Sequence, residues 1–314
     1  MKPKSISVSP LKSVMGPLWK IFSEDSVYTI CVDSFDDVYY TQKNESKAAA
    51  NVFKTPKDVD ALVARLLRFT DRELDKDQHT IYLNLDELTK VLIVFPPMSV
   101  KGPSLIINKL PRQELTLDDY IRFKVLDEEG KALLLKIIGE GKGILVAGHP
   151  GSGKTTLLNL MVNAIPQPKR VVTIERYADL VIRRSRVVRL QAPNQKADEM
   201  VELVAAAEKL YPDYLVTSYF DGPEVMPFLE AARSTCSALG LTTGENPLDA
   251  LKRLETKAVL SSEGMSLEEA RYAIAQTFRH IVYQERRGNL RVVSSVAEIE
   301  FVEGELKLKP VLKR

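Results

Sequence analysis

Residues 144–161 read Ile144-Leu145-Val146-Ala147-Gly148-His149-Pro150-Gly151-Ser152-Gly153-Lys154-Thr155-Thr156-Leu157-Leu158-Asn159-Leu160-Met161. Four apolar residues in a row predict a strand buried on both faces. Gly148 to Thr155 then fits the P-loop pattern of two glycines, a lysine and a hydroxyl residue. Leu157, Leu158, Leu160 and Met161 continue as a helix. The chemistry needs this strand–loop–helix order. Glycines let the backbone curl with its amides turned inward, and the helix start adds partial positive charge. Lys154 is expected to reach the β- and γ-phosphates, and Thr155 to offer its hydroxyl to Mg²⁺. The candidate nucleotide-binding residues are therefore Gly148, His149, Pro150, Gly151, Ser152, Gly153, Lys154, Thr155 and Thr156, with ATP and Mg²⁺ as the expected ligands. A glycine-rich turn that binds nothing is the alternative, but Lys and Thr at these two positions have no turn-forming purpose.

Working outward, strands alternate with helices on the C-terminal side. Apolar strands read at residues 171–174, 187–190 and 214–216. Helices read at 154–163, 198–211, 223–234 and 246–257. That alternation predicts a mostly parallel sheet covered by helices. The end, residues 279–312, is richer in strands, with a turn at Gly288-Asn289. Upstream, Thr116-Leu117-Asp118-Asp119 starts a capped helix, and residues 131–138 form a helix leading to the P-loop strand.

The N-terminal side is patterned differently. Residues 27–40 are strand material. Thr55-Pro56-Lys57-Asp58 opens a helix whose apolar stripe is Val59, Leu62, Val63, Leu66 and Leu67. Residues 80–83 and 91–95 flank a polar turn near Asp86 and predict a hairpin. Residues 102–112 read as a final strand and a linker. The expected organisation is a smaller α+β domain over residues 1–112, then the linker and an α/β domain over 113–314.

Composition limits the function classes. The 314 residues carry 44 Lys and Arg against 42 Asp and Glu, a net charge of only +2. No global basic field marks nucleic acid as an obligatory partner. The two cysteines, Cys31 and Cys236, have no metal-ligand spacing. No apolar run approaches the roughly 18 residues a membrane span needs, so a cytoplasmic location is expected.

Several stretches together resemble a known family. Besides the P-loop with Thr156-Leu157-Leu158-Asn159, these are Val172-Thr173-Ile174-Glu175, Val187-Val188-Arg189-Leu190, Tyr211-Pro212-Asp213 and Pro247-Leu248-Asp249-Ala250-Leu251-Lys252-Arg253-Leu254-Glu255. Phe95-Pro96-Pro97, Gly102-Pro103 and Leu115-Thr116-Leu117 add to them. From about Val91 to Ile299 the chain is similar to the traffic ATPases of type II and type IV secretion and of type IV pili, most of all to the tight-adherence pilus branch. The resemblance implies a RecA-like P-loop NTPase domain behind a smaller α+β N-terminal domain, with ATP between the two. It also implies a hexameric ring, homo- or hetero-, peripheral to an inner-membrane secretion or pilus platform protein.

The departures from the family fall on its catalytic boxes. Thr173-Ile174-Glu175-Arg176 keeps Glu175, the candidate base, but has Arg176 where an Asp is usual. Tyr219 stands where the Walker B strand ends in Glu, with Asp221 two residues on as a possible substitute on the same strand face. Thr243 replaces a His, Asn108 an Arg of the first domain, and Lys209 and Tyr211 two further arginines. Of the three histidines, His79, His149 and His280, none replaces the lost one by position. The binding half of the motif set is intact and the hydrolytic half is mostly gone. The reading adopted is an ATP-binding ring or regulatory subunit, degenerate in hydrolysis. An active but slow secretion ATPase using Glu175 is the alternative, and a nucleic-acid translocase a more remote one.

Overall fold

The computed structural model describes residues 8–42, 45–74, 78–109, 115–220, 222–288 and 290–313. The chain divides into two compact units, residues 1–114 and 115–314. The linker expected near residue 112, and Asp221, lie outside the described residues.

The first unit holds α1 (Val8–Met15), α2 (Trp19–Phe22), β1 (Val27–Val32), β2 (Val38–Gln42), β3 (Glu45–Ala48), α3 (Pro56–Phe69), β4 (Thr80–Asn84), β5 (Thr89–Val94) and β6 (Ser104–Lys109). Its sheet is antiparallel throughout, in the order β3-β2-β1-β6-β5-β4. The strand material over residues 27–40 is a hairpin, because Asp33 to Asp37 close on themselves through backbone bonds. The α3 helix starts where its capping residue predicts, with Asp58 accepting from the Thr55 amide at 2.8 Å. Its Val59, Leu62, Val63 and Leu66 are buried in the unit's core. Each such side chain contributes roughly 1.5–3 kcal/mol by leaving water.

The second unit holds α4 (Leu117–Arg122), α5 (Glu128–Gly139), β7 (Ile144–Ala147), α6 (Lys154–Asn163), β8 (Val171–Glu175), β9 (Val187–Gln191), α7 (Glu199–Glu208), β10 (Tyr214–Thr217), α8 (Val225–Thr235), β11 (Ser237–Leu241), α9 (Pro247–Leu260), α10 (Leu267–Thr277), β12 (His280–Arg287), β13 (Leu290–Val302) and β14 (Glu305–Lys313). The sheet order is β14-β13-β12-β7-β11-β10-β8-β9. From β12 to β9 every pairing is parallel, and the β12–β13–β14 meander adds an antiparallel edge. Every residue of β7, β8, β10 and β11 is buried, which is why these strands read as unbroken apolar runs. Two cores, one on each face, pack helices against the sheet. This is the predicted α/β class. The carboxyl ends of β7, β11, β10 and β8 share one edge, where ligands bind in such sheets. No helix among the described residues is long and apolar enough to cross a membrane.

Candidate nucleotide site

The P-loop sits between β7 and α6 as its sequence requires. Gly151 and Gly153 adopt φ of +76° and +94°, left-handed values that carry no Cβ penalty in glycine. Gly153 is the residue before the first turn of α6. Neighbouring elements brace the loop. The Gly244 amide donates to the Gly148 carbonyl at 3.3 Å, and the buried Tyr283 hydroxyl donates to the Gly244 carbonyl at 3.0 Å. The Gln284 side-chain amide, through Nε2, donates to the Ser152 carbonyl at 2.7 Å.

The residues present fit a polyphosphate. Lys154 is only 7% exposed, and its ammonium turns onto the loop, donating to the His149 carbonyl at 2.6 Å. Among the described residues, the hydroxyls of Ser152 and Thr242 are buried without a partner, leaving two unsatisfied polar groups beside the cradle. Thr155 is exposed at the head of α6, as a metal-supporting hydroxyl must be.

Burial lowers the Lys154 pKa to about 8. Phosphate charge favours the protonated ammonium and raises that value when nucleotide binds. Below about pH 7 the ammonium is already charged and its titration gives affinity no pH dependence. Above about 8 the site must take up a proton to bind, and affinity falls by up to about tenfold per pH unit. Titration calorimetry with ADP between pH 7 and 9.5, in buffers of different ionisation enthalpy, is expected to show this fall together with proton uptake.

Two of the positions at which the sequence departs from the resemblance, Tyr219 and Thr243, touch. The Tyr219 and Thr243 hydroxyls lie 3.3 Å apart. The Lys257 ammonium sits 4.6 Å from the centroid of the Tyr219 ring and donates to the Phe220 carbonyl. Tyr219 does not lie on the strand, as the spacing suggested; β10 ends at Thr217, whose hydroxyl donates to the Tyr219 carbonyl at 3.0 Å. What fixes it is its neighbour. Phe220 is fully buried, edge-on to Phe228 and Phe278, in space left by Gly240, where a Cβ would meet its ring at 2.4 Å.

Glu175 ends β8 and is 1% exposed. One carboxylate oxygen accepts from the Thr173 hydroxyl at 2.9 Å and from Arg189 Nε at 3.0 Å. The other accepts from the Leu180 amide at 2.8 Å and from an Arg189 terminal nitrogen at 3.2 Å. A carboxylate has about four lone-pair sites, and four donors fill them. Arg176 is turned elsewhere, donating to the Gln195 carbonyl at 2.7 Å. Asn108 belongs to the first unit, where it accepts from the Thr29 hydroxyl at 3.1 Å. Sequence reading missed Arg189, Lys257 and Gln284 as site residues. Arg189 stands opposite Thr173 in the β8–β9 register, a pairing visible only once the sheet is known.

With this geometry in hand, residues 65–292 match the family described as type II/IV secretion system protein. The chain belongs to that family. Among similar members of known sequence is a putative conjugal transfer protein of Mycobacterium tuberculosis, 26% identical over 93% of this chain and 86% of its own length. The type IV secretion system protein PtlH of Bordetella pertussis is 28% identical over 70% of this chain and 73% of its own. Two solved structures share the fold at 15% identity. The Legionella pneumophila ATPase DotB has a TM-score of 0.62 over 94% of this chain and 81% of its own. The pilus retraction motor PilT, solved with ADP, has a TM-score of 0.60 over 95% and 83%. The second unit is accordingly a RecA-like P-loop domain, and family membership together with the intact P-loop supports nucleotide binding in this secretion-family chain.

Proposed function

We propose that this secretion-family chain is an ATP-binding ring or regulatory subunit of a type II/IV secretion or pilus machine, and that it binds nucleotide without appreciable turnover. The observation that carries this reading is the contact between Tyr219 and Thr243. Where the family's Glu and His are expected, two neutral hydroxyls face each other, and a tyrosine stays protonated at pH 7. Neither can act as a carboxylate or an imidazole. The saturation of Glu175 supports the same conclusion, since a general base needs a lone pair aimed at water.

Binding is the part the site is equipped for. The loop amides and Lys154 would hold the phosphates, and Thr155 would support Mg²⁺, which neutralises β- and γ-phosphate oxygens when bound. Assembly into a homo- or hetero-hexamer on the cytoplasmic side, against an inner-membrane platform protein, belongs to the same proposal. It is supported by family membership and by relatives described as conjugal transfer and type IV secretion proteins.

A second reading, a slow but active ATPase, is favoured by the retention of Glu175 itself. Glu175→Gln separates the two. If Glu175 is a clamp, the variant leaves turnover at background and lowers stability by about 1–3 kcal/mol, because buried donors lose charged acceptors. The loss stays toward the low end because Arg189 is 38% exposed and water can solvate it. Wild-type turnover that disappears in Glu175→Gln, with an unchanged melting temperature, would establish the slow motor instead.

A further inference from the structure

The hairpin of β12 and β13 brings a second cation to the P-loop that the family motifs do not mark. Arg291 on β13 lies against Gly153. A Cβ built on that glycine would meet Arg291 Cδ at 3.0 Å and Nε at 3.5 Å, and the Gln284 amide nitrogen at 2.7 Å. The side on which Gly153 lacks a side chain is thus lined by an amide and a guanidinium. Arg291 is exposed, and among the described residues it makes no ion pair.

The strand register adds one observation that points to an anion there. Arg291 stands directly opposite Arg286 in the β12–β13 register. Like charges in that position are unfavourable in a sheet; Arg286 Nε donates to the Gly288 carbonyl at 2.8 Å, and an anion beside Arg291 would relieve the opposition. Gln284, two residues before Arg286 and so on the same face, is fully buried and donates its side-chain amide to the Ser152 carbonyl at 2.7 Å, bracing the loop beside Arg291. The Tyr120 hydroxyl packs beside this group, and burial pushes its pKa up to about 12, so it adds no competing negative charge.

We propose that Arg291 is a nucleotide-contacting residue that neutralises the α/β end of a bound nucleoside polyphosphate. The inference rests on the nucleotide-binding reading above. Backbone amides of a P-loop cradle the α- and β-phosphates, while its lysine reaches the β- and γ-phosphates. A guanidinium flanking Gly153 therefore faces the part that ADP and ATP share. It approaches from the hairpin side, away from Tyr219 and Glu175, and adds charge for binding without adding a group for hydrolysis. Arginine suits the task because it stays charged over the whole range in which Lys154 titrates.

The test compares ADP and ATP affinities, by titration calorimetry at pH 7, for the full chain and for Arg291→Ala, Arg291→Lys and Lys154→Ala. Arg291→Ala is expected to weaken both nucleotides by about the same factor, roughly tenfold, with Arg291→Lys intermediate and the melting temperature unchanged. A loss confined to ATP would overturn the α/β assignment. Affinities equal to wild type in Arg291→Ala, with Lys154→Ala impaired, would overturn this inference alone. Failure of the wild-type chain to bind either nucleotide would overturn the underlying reading and this inference with it.

Discussion

Lys154→Ala is expected to weaken ATP binding by about a hundredfold while leaving the fold intact. The ammonium is the charged group of the loop itself, and removing it leaves the γ-phosphate without a cation from the loop. Losing a charge-assisted contact of this kind costs about 3 kcal/mol, which is roughly two orders of magnitude in affinity. The protein itself loses little. Among the described residues, the hydrogen bond of Lys154 goes to the carbonyl of His149, an exposed residue of the same loop. Because the ammonium is held in a desolvated setting that lowers its pKa to about 8, its removal also relieves a burial penalty. Calorimetry and thermal melting on the same samples check both halves. An affinity within about threefold of wild type would remove Lys154 from the site.

Gly143→Ala is expected to act oppositely, through the fold. Gly143 precedes β7, and its carbonyl accepts from the amides of Arg279 and His280 at 2.8 and 3.1 Å. A Cβ there would stand 1.7 Å from the Thr277 carbonyl oxygen and 2.8 Å from its carbon. Both neighbours are backbone, so relief requires moving the end of α10 or the start of the strand that launches the P-loop. Overpacking against backbone of this severity costs roughly 3–5 kcal/mol. In a unit of this size that lowers the melting temperature by about 6–20 °C. Gly139→Ala is the control. It ends α5 with open space where its Cβ would go, and it should be neutral or slightly stabilising. Equal melting temperatures for the two variants would contradict the packing described around β7.

The fold was most legible where one physical signal dominated. The β7 run is buried on both faces and precedes glycines, so strand, loop and helix could all be placed from sequence. Thr55 and Thr116 announce their helices: the Thr116 hydroxyl accepts from the Asp119 amide, and at Thr55 it is Asp58 that reaches back to accept from the Thr55 amide. The β11 strand escapes the reading because Ser237-Ala238-Leu239-Gly240-Leu241 has no β-branched residue, and its Gly240 leaves room for the Phe220 ring. The four exposed residues of β3 have no pattern of their own and are strand only by pairing with β2. The α10 helix also went unread, although Ser266 and Glu269 form a capping box at its start.

The site divides along the same line. The P-loop is local in sequence, so its residues were found there. The Tyr219–Thr243 contact joins positions 24 residues apart, and Arg189 reaches Glu175 across 14. Substitution at a family position marked Tyr219 and Thr243 as unusual, but only the tertiary structure shows that they meet. For Glu175 the sequence preserved the residue type, while the structure supplies the four donors that occupy it.

The central claim is binding without turnover. The most direct test follows the fate of ATP with Mg²⁺ on the wild-type chain, with occupancy and product measured in the same samples and Lys154→Ala as the background. The predicted result is nucleotide recovered from the protein as ATP, with phosphate release no faster than in Lys154→Ala. Recovery as ADP, with phosphate release above that background, would contradict it and make this chain a motor.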